Sequence, residues 1–196
     1  MIENQINQII TENQKNLKNI KIFGGIGSIL VFLFPFFGKI FLFFGKIGPI
    51  LWLVGYVFGC IFLIIAIHKI SKITGERKIF RNYIVAFVLY IIVNLLVFEL
   101  ITVGKHIIIA GKHIIIFMIG GILLAWFLMI LSGYFIKKSF NGIFEVTGKD
   151  YFQIAGERYF WGAILIIILI GAFIQLTANV YTIAAFFSLP DKLEAK

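Results

Sequence analysis

Two histidines, His106 and His113, stand seven residues apart in the doubled phrase GKHIIIAGKHIIIF (104–117), and paired imidazoles are a common start for a metal site. Geometry argues against one ion between them. On a helix they would lie about 10 Å apart along the axis, and on a strand roughly 23 Å apart on opposite faces. A zinc ion needs each ligand nitrogen about 2 Å away. His68 falls at the other side of the bilayer in the reading developed below, so no metal-ligand set is assigned. Acid–base groups are as sparse. Glu99 is the sole carboxylate inside a long apolar segment, where an ionised group is costly enough to suggest function. Asn94 precedes it, and Gln175 and Asn179 lie at matching depths if the last apolar segment runs from the inner to the outer face. Asn94, Glu99, Gln175 and Asn179 are therefore the candidate intramembrane polar cluster. They would act either as interhelical hydrogen bonds or as a polar path for a ligand or ion. The chain lacks a phosphate loop, an HExxH pair and a GxSxG elbow. No catalytic residue and no cofactor are assigned, and the expectation is a protein that is not an enzyme.

The elements that carry these residues follow from composition. Hydrophobic residues make up 61% of the chain and charged ones 14%, an apolar excess that a soluble domain would have no core to absorb. Charge-free runs cover 22–38, 47–67, 82–98, 114–136 and 159–190. About 20 apolar residues cross the roughly 30 Å hydrocarbon layer as a helix. The expectation is an all-α, five-helix integral membrane bundle. A polar segment (1–21) leads into a membrane domain (22–190) with spans at 22–44, 47–68, 82–104, 114–136 and 162–186, and a tail (191–196) follows. Cys60, alone of its kind, allows no intramolecular disulfide.

Charge orients the bundle. Of 18 lysines and arginines, about two-thirds fall in the N-terminal segment, the second loop and the fourth loop. Positive residues favour the cytoplasm, which places the N-terminus inside the plasma membrane and, after five crossings, the C-terminus outside. Arg77, Lys78, Arg81, Lys137, Lys138 and Arg158 are the candidates for binding lipid headgroups or a partner. Anionic headgroups account for the net charge of +9 without invoking nucleic acid. The expected partners are membrane lipid and either a second copy of the chain or another membrane protein. The leading expectation is a small structural or interaction module, and the alternative is a transporter or channel-like protein with a polar path through spans three and five.

Several local patterns refine the picture. Gly-Lys recurs five times, twice at seven-residue spacing: in GKIFLFFGK (38–46) and in the doubled histidine phrase. KITGERKIF (72–80) echoes EVTGKDYFQIAGERYF (145–160). Together these suggest two parallel hairpin-plus-loop repeats followed by a fifth helix. Ile2, Ile6, Ile9, Leu17 and Ile20 keep a helical period interrupted by Asn13, which fits an interfacial helix or a solvated lead-in. TGKD (147–150) fits a capping box that would start a helix too long for one crossing. Such a helix should break at Gly156, with Tyr151, Tyr159, Phe160 and Trp161 forming an inner aromatic belt. Gly55 and Gly59, one turn apart, should permit close helix approach. Pro49 suits the first turn of its helix, and Pro35 should kink the first span.

The phrases GGIGSIL (24–30), TGERKIFRNY (74–83), VTGKDYFQIAGERYFWGAIL (146–165) and AAFFSLP (184–190) together resemble an uncharacterised, largely archaeal family of small membrane proteins, domain of unknown function family 996. The likeness covers about residues 22–190, although the polar N-terminal stretch is longer than the family's usual lead-in. It implies the membrane topology and brings no activity with it.

Overall fold

The computed structural model describes residues 16–34, 47–104 and 112–190. Apart from one 3-10 turn, their regular structure consists of α-helices: α1 (Asn16–Phe34), α2 (Ile47–Thr74), α3 (Arg77–Gly104), α4 (Lys112–Thr147), α5 (Asp150–Leu165) and α6 (Ile170–Phe187). Five of these contain stretches long and apolar enough to cross a membrane, namely Asn16–Phe34, Leu53–Thr74, Arg77–Thr102, Met118–Thr147 and Ile170–Phe187. Pro49 lies in the first turn of α2, where its missing N–H costs nothing. Pro35, His106, the phrase at 38–46 and the middle of the doubled phrase (105–111) lie outside the described residues.

The chain folds as three antiparallel hairpins. In the first, α1 packs on α2 through small residues: a side chain at Gly27 would meet the Gly59 carbonyl oxygen at 2.9 Å, and one at Gly59 would meet Leu30 Cβ at the same distance. In the second, α3 and α4 share a heptad seam. Ile79, Ala86, Val93 and Leu100 are buried on α3, facing Ala125, Ser132 and Ser139 on α4. Two serines cross-link this seam, Ser132 Oγ donating to the Ala86 carbonyl (2.9 Å) and Ser139 Oγ to that of Ile79 (2.8 Å).

The third hairpin replaces the expected single span at 162–186. α5 ends at Leu165, a 3-10 turn covers Ile166–Ile168, and Leu169 closes it in the left-handed region (φ 62°) before α6 begins. The two helices then run antiparallel. Phe152 meets Phe186 edge to face with ring centres 5.2 Å apart, Tyr159 reaches Asn179, and Gly162 abuts Gly171. Gly156 does not break the helix; it is buried in α5 against Lys137 and Phe140 of α4.

Both junctions between hairpins are built alike. Thr74 Oγ1 donates to the Ile70 carbonyl (2.9 Å) and accepts from the Glu76 amide (3.4 Å). Thr147 Oγ1 donates to the Ile143 carbonyl (2.7 Å) and accepts from the Lys149 amide (3.4 Å). Gly75 and Gly148 follow with φ of 75° and 65°, left-handed conformations natural to a glycine just past a helix end. Thr147 therefore terminates α4 rather than capping α5, whose N-cap, Lys149, makes no side-chain cap bond.

Three hairpins bring the two described ends together. Leu17 and Ile20 of α1 share one core with Phe152, Ala185, Phe186 and Leu189, joined there by Ile70, Ile79, Phe140 and Ile143. The first and last described residues lie at the same end of the molecule, where an odd number of crossings would separate them. α1 begins where α6 ends, because the final segment doubles back. Leu17 and Ile20, expected in a separate leading segment, belong to α1 and are packed inside.

Candidate functional site

The end of the molecule where α1, α3 and α5 begin and α2, α4 and α6 finish is its polar end. The basic candidates all lie here. Arg77, Lys78, Arg81 and Lys138 are exposed, and Lys137 and Arg158 are half-buried. Lys137 Nζ lies 3.6 Å from Glu157 Oε1 and 5.5 Å from the centre of the Phe160 ring. Lys138 Nζ stands 4.7 Å over Tyr134, and Lys69 Nζ 5.2 Å over Phe23. Arg158 donates from Nη1 to Thr177 Oγ1 (3.0 Å) and covers Tyr181 (4.8 Å), tying α5 to α6. These cations sit on aromatic faces with their stems along apolar surface, the arrangement of side chains at a water–hydrocarbon boundary. Lys78 and Lys138 also flank a depression of about 380 Å³ that includes Glu76, Asn82, Asn141 and Glu145. Within it, Asn141 Oδ1 is buried without a hydrogen-bond partner among the described residues.

The expected aromatic belt is divided. Tyr151 and Trp161 are exposed, and Phe160 is partly so. Tyr159 instead turns inward and donates its hydroxyl to Asn179 Oδ1 at 2.7 Å.

The polar cluster is divided as well. Gln175 and Asn179 line an interior cavity, whereas Asn94 and Glu99 are exposed on α3. Asn94 donates to the Tyr90 carbonyl of its own helix (2.7 Å). The cause is the reversed direction of α6. Its residues approach the polar end as their numbers rise, so Asn179 lies nearer that end than Gln175. Glu99 is about 27 Å along α3 from Arg81 at 1.5 Å per residue, and among the described residues no hydrogen bond joins it to Gln175 or Asn179.

How far the third hairpin extends is fixed by Trp126, whose Nε1 donates to the carbonyls of Ala163 and Ile164, each at 3.2 Å. The hairpin turns within a few residues of that level, while α4 continues from Trp126 back to Lys112 for about 21 Å more. Its tip therefore stops about 15 Å short of the far end of α4. Ile167, Ile168, Leu169 and Ile170 at the tip are all exposed.

Beneath this tip lies a cavity of about 390 Å³. Its floor is buried, with Phe140 at 2%, Thr182 at 3% and Leu63 at 8% exposure, and Tyr90 at 38% marks its mouth. Tyr56, Tyr83, Tyr90 and Tyr159 line it, a role that sequence reasoning missed. Tyr83 and Tyr90, one heptad apart on α3, were the available signal.

A family model described as "Protein of unknown function (DUF996)" matches residues 56–180. An uncharacterised protein of Methanocaldococcus jannaschii is 34% identical over 187 residues, covering 92% of this chain and 97% of that protein. No solved structure matches the chain.

Proposed function

Because the chain belongs to the DUF996 family of proteins of unknown function, no relative supplies an activity, and we propose from the geometry that it is a non-enzymatic membrane module resting on anionic lipid. The observation that carries this reading is the level at which the cations sit. Arg81, Lys137 and Arg158 mark one boundary, and beyond it α3 runs charge-free until Glu99, with Leu95 62% and Phe98 65% exposed. Side chains this apolar and this exposed belong in hydrocarbon. On the other side of the boundary, Leu17, Ile143, Phe152 and Phe186 close a small helical cap outside the bilayer. The positive-inside bias assigns the cap to the cytoplasm, so both described ends are cytoplasmic, and the third hairpin enters the membrane without crossing it. Headgroups of the inner leaflet are the partner for Lys78, Arg81 and Lys138, each contributing about 1 kcal/mol near an anionic surface. A polar permeation path has less support, because Glu99 and Asn94 lie apart from Gln175 and Asn179.

Single cysteines at Lys72, Asp150 and Ser188 in a Cys60→Ala background should react with an impermeant thiol reagent in inverted vesicles only, and one at Thr102 in right-side-out vesicles only. Labelling of Ser188 and Lys72 from opposite sides would defeat the topology. Anionic nanodiscs should raise the melting temperature relative to zwitterionic ones, and Lys78→Gln, Arg81→Gln and Lys138→Gln combined should remove the difference. An unchanged difference would defeat the lipid reading.

A further inference from the structure

The cavity below the hairpin tip is lined by two polar groups that have no hydrogen-bond partner among the described residues. Ser132, Tyr159 and Asn179 donate to partners within the fold. The Gln175 side-chain amide and the Tyr83 hydroxyl line the same cavity and have no hydrogen-bond partner among the described residues. A primary amide presents two donors and an acceptor, and a phenol one donor and an acceptor. Left empty in apolar surroundings, both carry an uncompensated desolvation cost. They need an occupant that brings oxygen.

Charge narrows the occupant. None of the residues lining the cavity is acidic, basic or a histidine, so an ionised head would enter without a counter-ion, which low-dielectric surroundings strongly disfavour. Shape narrows it further. The volume is at the lower end of the range for small-molecule pockets, about 300–1,000 Å³, enough for a head and the first part of a chain. The exposed residues of its lining, Tyr90 on α3 and Ala172 on α6, mark the mouth, and Leu169 and Phe173, close to Ala172 along the chain, are 75% and 70% exposed. A polar compound would have no reason to leave by that route. A hydrocarbon tail would.

We propose that this cavity binds one uncharged lipid, its hydroxyl or carbonyl head held by Gln175 and Tyr83 and its tail leaving past the hairpin tip into the bilayer. The proposal goes beyond the headgroup contacts above and does not depend on which side the cap faces.

The test is photolabelling of the full-length protein in nanodiscs with a long-chain alcohol carrying a mid-chain diazirine, with sites mapped by mass spectrometry. The comparison probe is the sulfonate of the same chain, charged at every working pH. The alcohol should label the cavity wall around Met129 and Ala172 at least tenfold more than the sulfonate. Tyr83→Phe and Gln175→Leu should each weaken alcohol binding about three- to tenfold, the loss of one hydrogen bond. Ala172→Trp, at the mouth, should abolish cavity labelling. Tyr83→Phe removes a single oxygen and remains informative if a larger change unfolds the chain. Equal labelling by the sulfonate, labelling confined to outward residues such as Phe98 and Phe127, or unchanged binding in Tyr83→Phe and Gln175→Leu would each overturn the proposal. A purely water-filled cavity would show itself as the second of these. Because nanodiscs expose both faces, a wrong topology would leave these results unchanged, so the two readings fail separately.

Discussion

Gly171→Ala separates the hairpin from a straight span by the sign of one number. At Gly171 a methyl group would fall on the Gly162 carbonyl oxygen and the Ile166 amide nitrogen, and 2.5 Å from the Leu165 carbonyl carbon. All three are backbone atoms, so no rotamer change makes room. α6 must move away from α5 by on the order of 1 Å, loosening the packing beneath the turn. Overpacking costs about 1–3 kcal/mol, and rigid neighbours place this site in the upper part of that range. Alanine returns up to about 1 kcal/mol through its helix propensity. The net expectation is a loss of about 2 kcal/mol. For a chain of this size that lowers the melting temperature by about 4–8 °C. In an uninterrupted helix from 162 to 186 the same change would raise it. Gly120→Ala is the internal control, because nothing lies within 4 Å of the new methyl, and it should be neutral or stabilising by up to about 1 kcal/mol. Unfolding can be followed with a thiol-reactive fluorophore, since Cys60 is the chain's single cysteine and lines the interior cavity. Gly171→Ala melting at or above the unmodified protein would refute the reasoning.

Three further outcomes follow from local geometry. Gly75→Ala and Gly148→Ala should each cost about 1–2 kcal/mol, purely through left-handed backbone strain, because both sites are otherwise open; markedly unequal losses in thermal melts would mean that the two junctions are not equivalent. Ser139→Ala should cost about 0.6–2 kcal/mol, an interhelical hydrogen bond in a membrane protein, whereas Ser139→Leu should prevent stable folding, because the site is fully enclosed at 0% exposure; chromatographic dispersity in detergent distinguishes the two. Glu99→Gln should change stability by no more than the roughly 0.5 kcal/mol typical of exposed sites, about 1–2 °C in melting temperature, and a larger drop would show that the carboxylate has a structural partner.

Much of this architecture was legible because charges punctuate the chain. The lysines and arginines at 69–81 and 137–138 mark where α2, α3 and α4 leave the apolar region, and the Thr-Gly pairs at 74–75 and 147–148 mark two helix ends. The α3–α4 seam was hidden for a physical reason. Where the outward face is as apolar as the inward one, hydrophobic period carries little information, and Ile79, Ala86, Val93 and Leu100 do not stand out from their neighbours. The third hairpin was hidden in the same way. Its turn, Ile166–Leu169, holds no glycine, proline or polar residue, so none of the usual turn signals applies. Excess length was the remaining clue, since the charge-free run 159–190 would form a helix of about 48 Å, well beyond the hydrocarbon thickness. The polar cluster was misjudged as a consequence. Depths assigned along a single outward-running helix are inverted once that helix returns.

The packed cap and the cavity arise from one cause, the shortness of the third hairpin. At the polar end six helix ends meet, and large side chains such as Phe140, Phe152 and Phe186 interlock edge to face with ring centres 5.2–5.7 Å apart. Toward the tip, α5 and α6 approach so closely at Gly162 and Gly171 that little side chain separates them. The hairpin thus narrows as it enters the apolar region, while α2 and α3 continue along it with tyrosines at 56, 83 and 90. A wedge of this kind cannot fill the space that parallel helices of equal length would fill, and the unfilled part is the cavity. Gln175 and Tyr83 are among the residues that line it. The sequence supports the tip with isoleucine and leucine, residues that gain from contact with hydrocarbon, and Leu169 accepts a left-handed conformation that glycine would adopt at lower cost. An exposed apolar side chain held in a strained turn, three residues from Ala172 in the lining of an uncharged cavity, is the local arrangement expected where the bilayer itself supplies the cavity's contents.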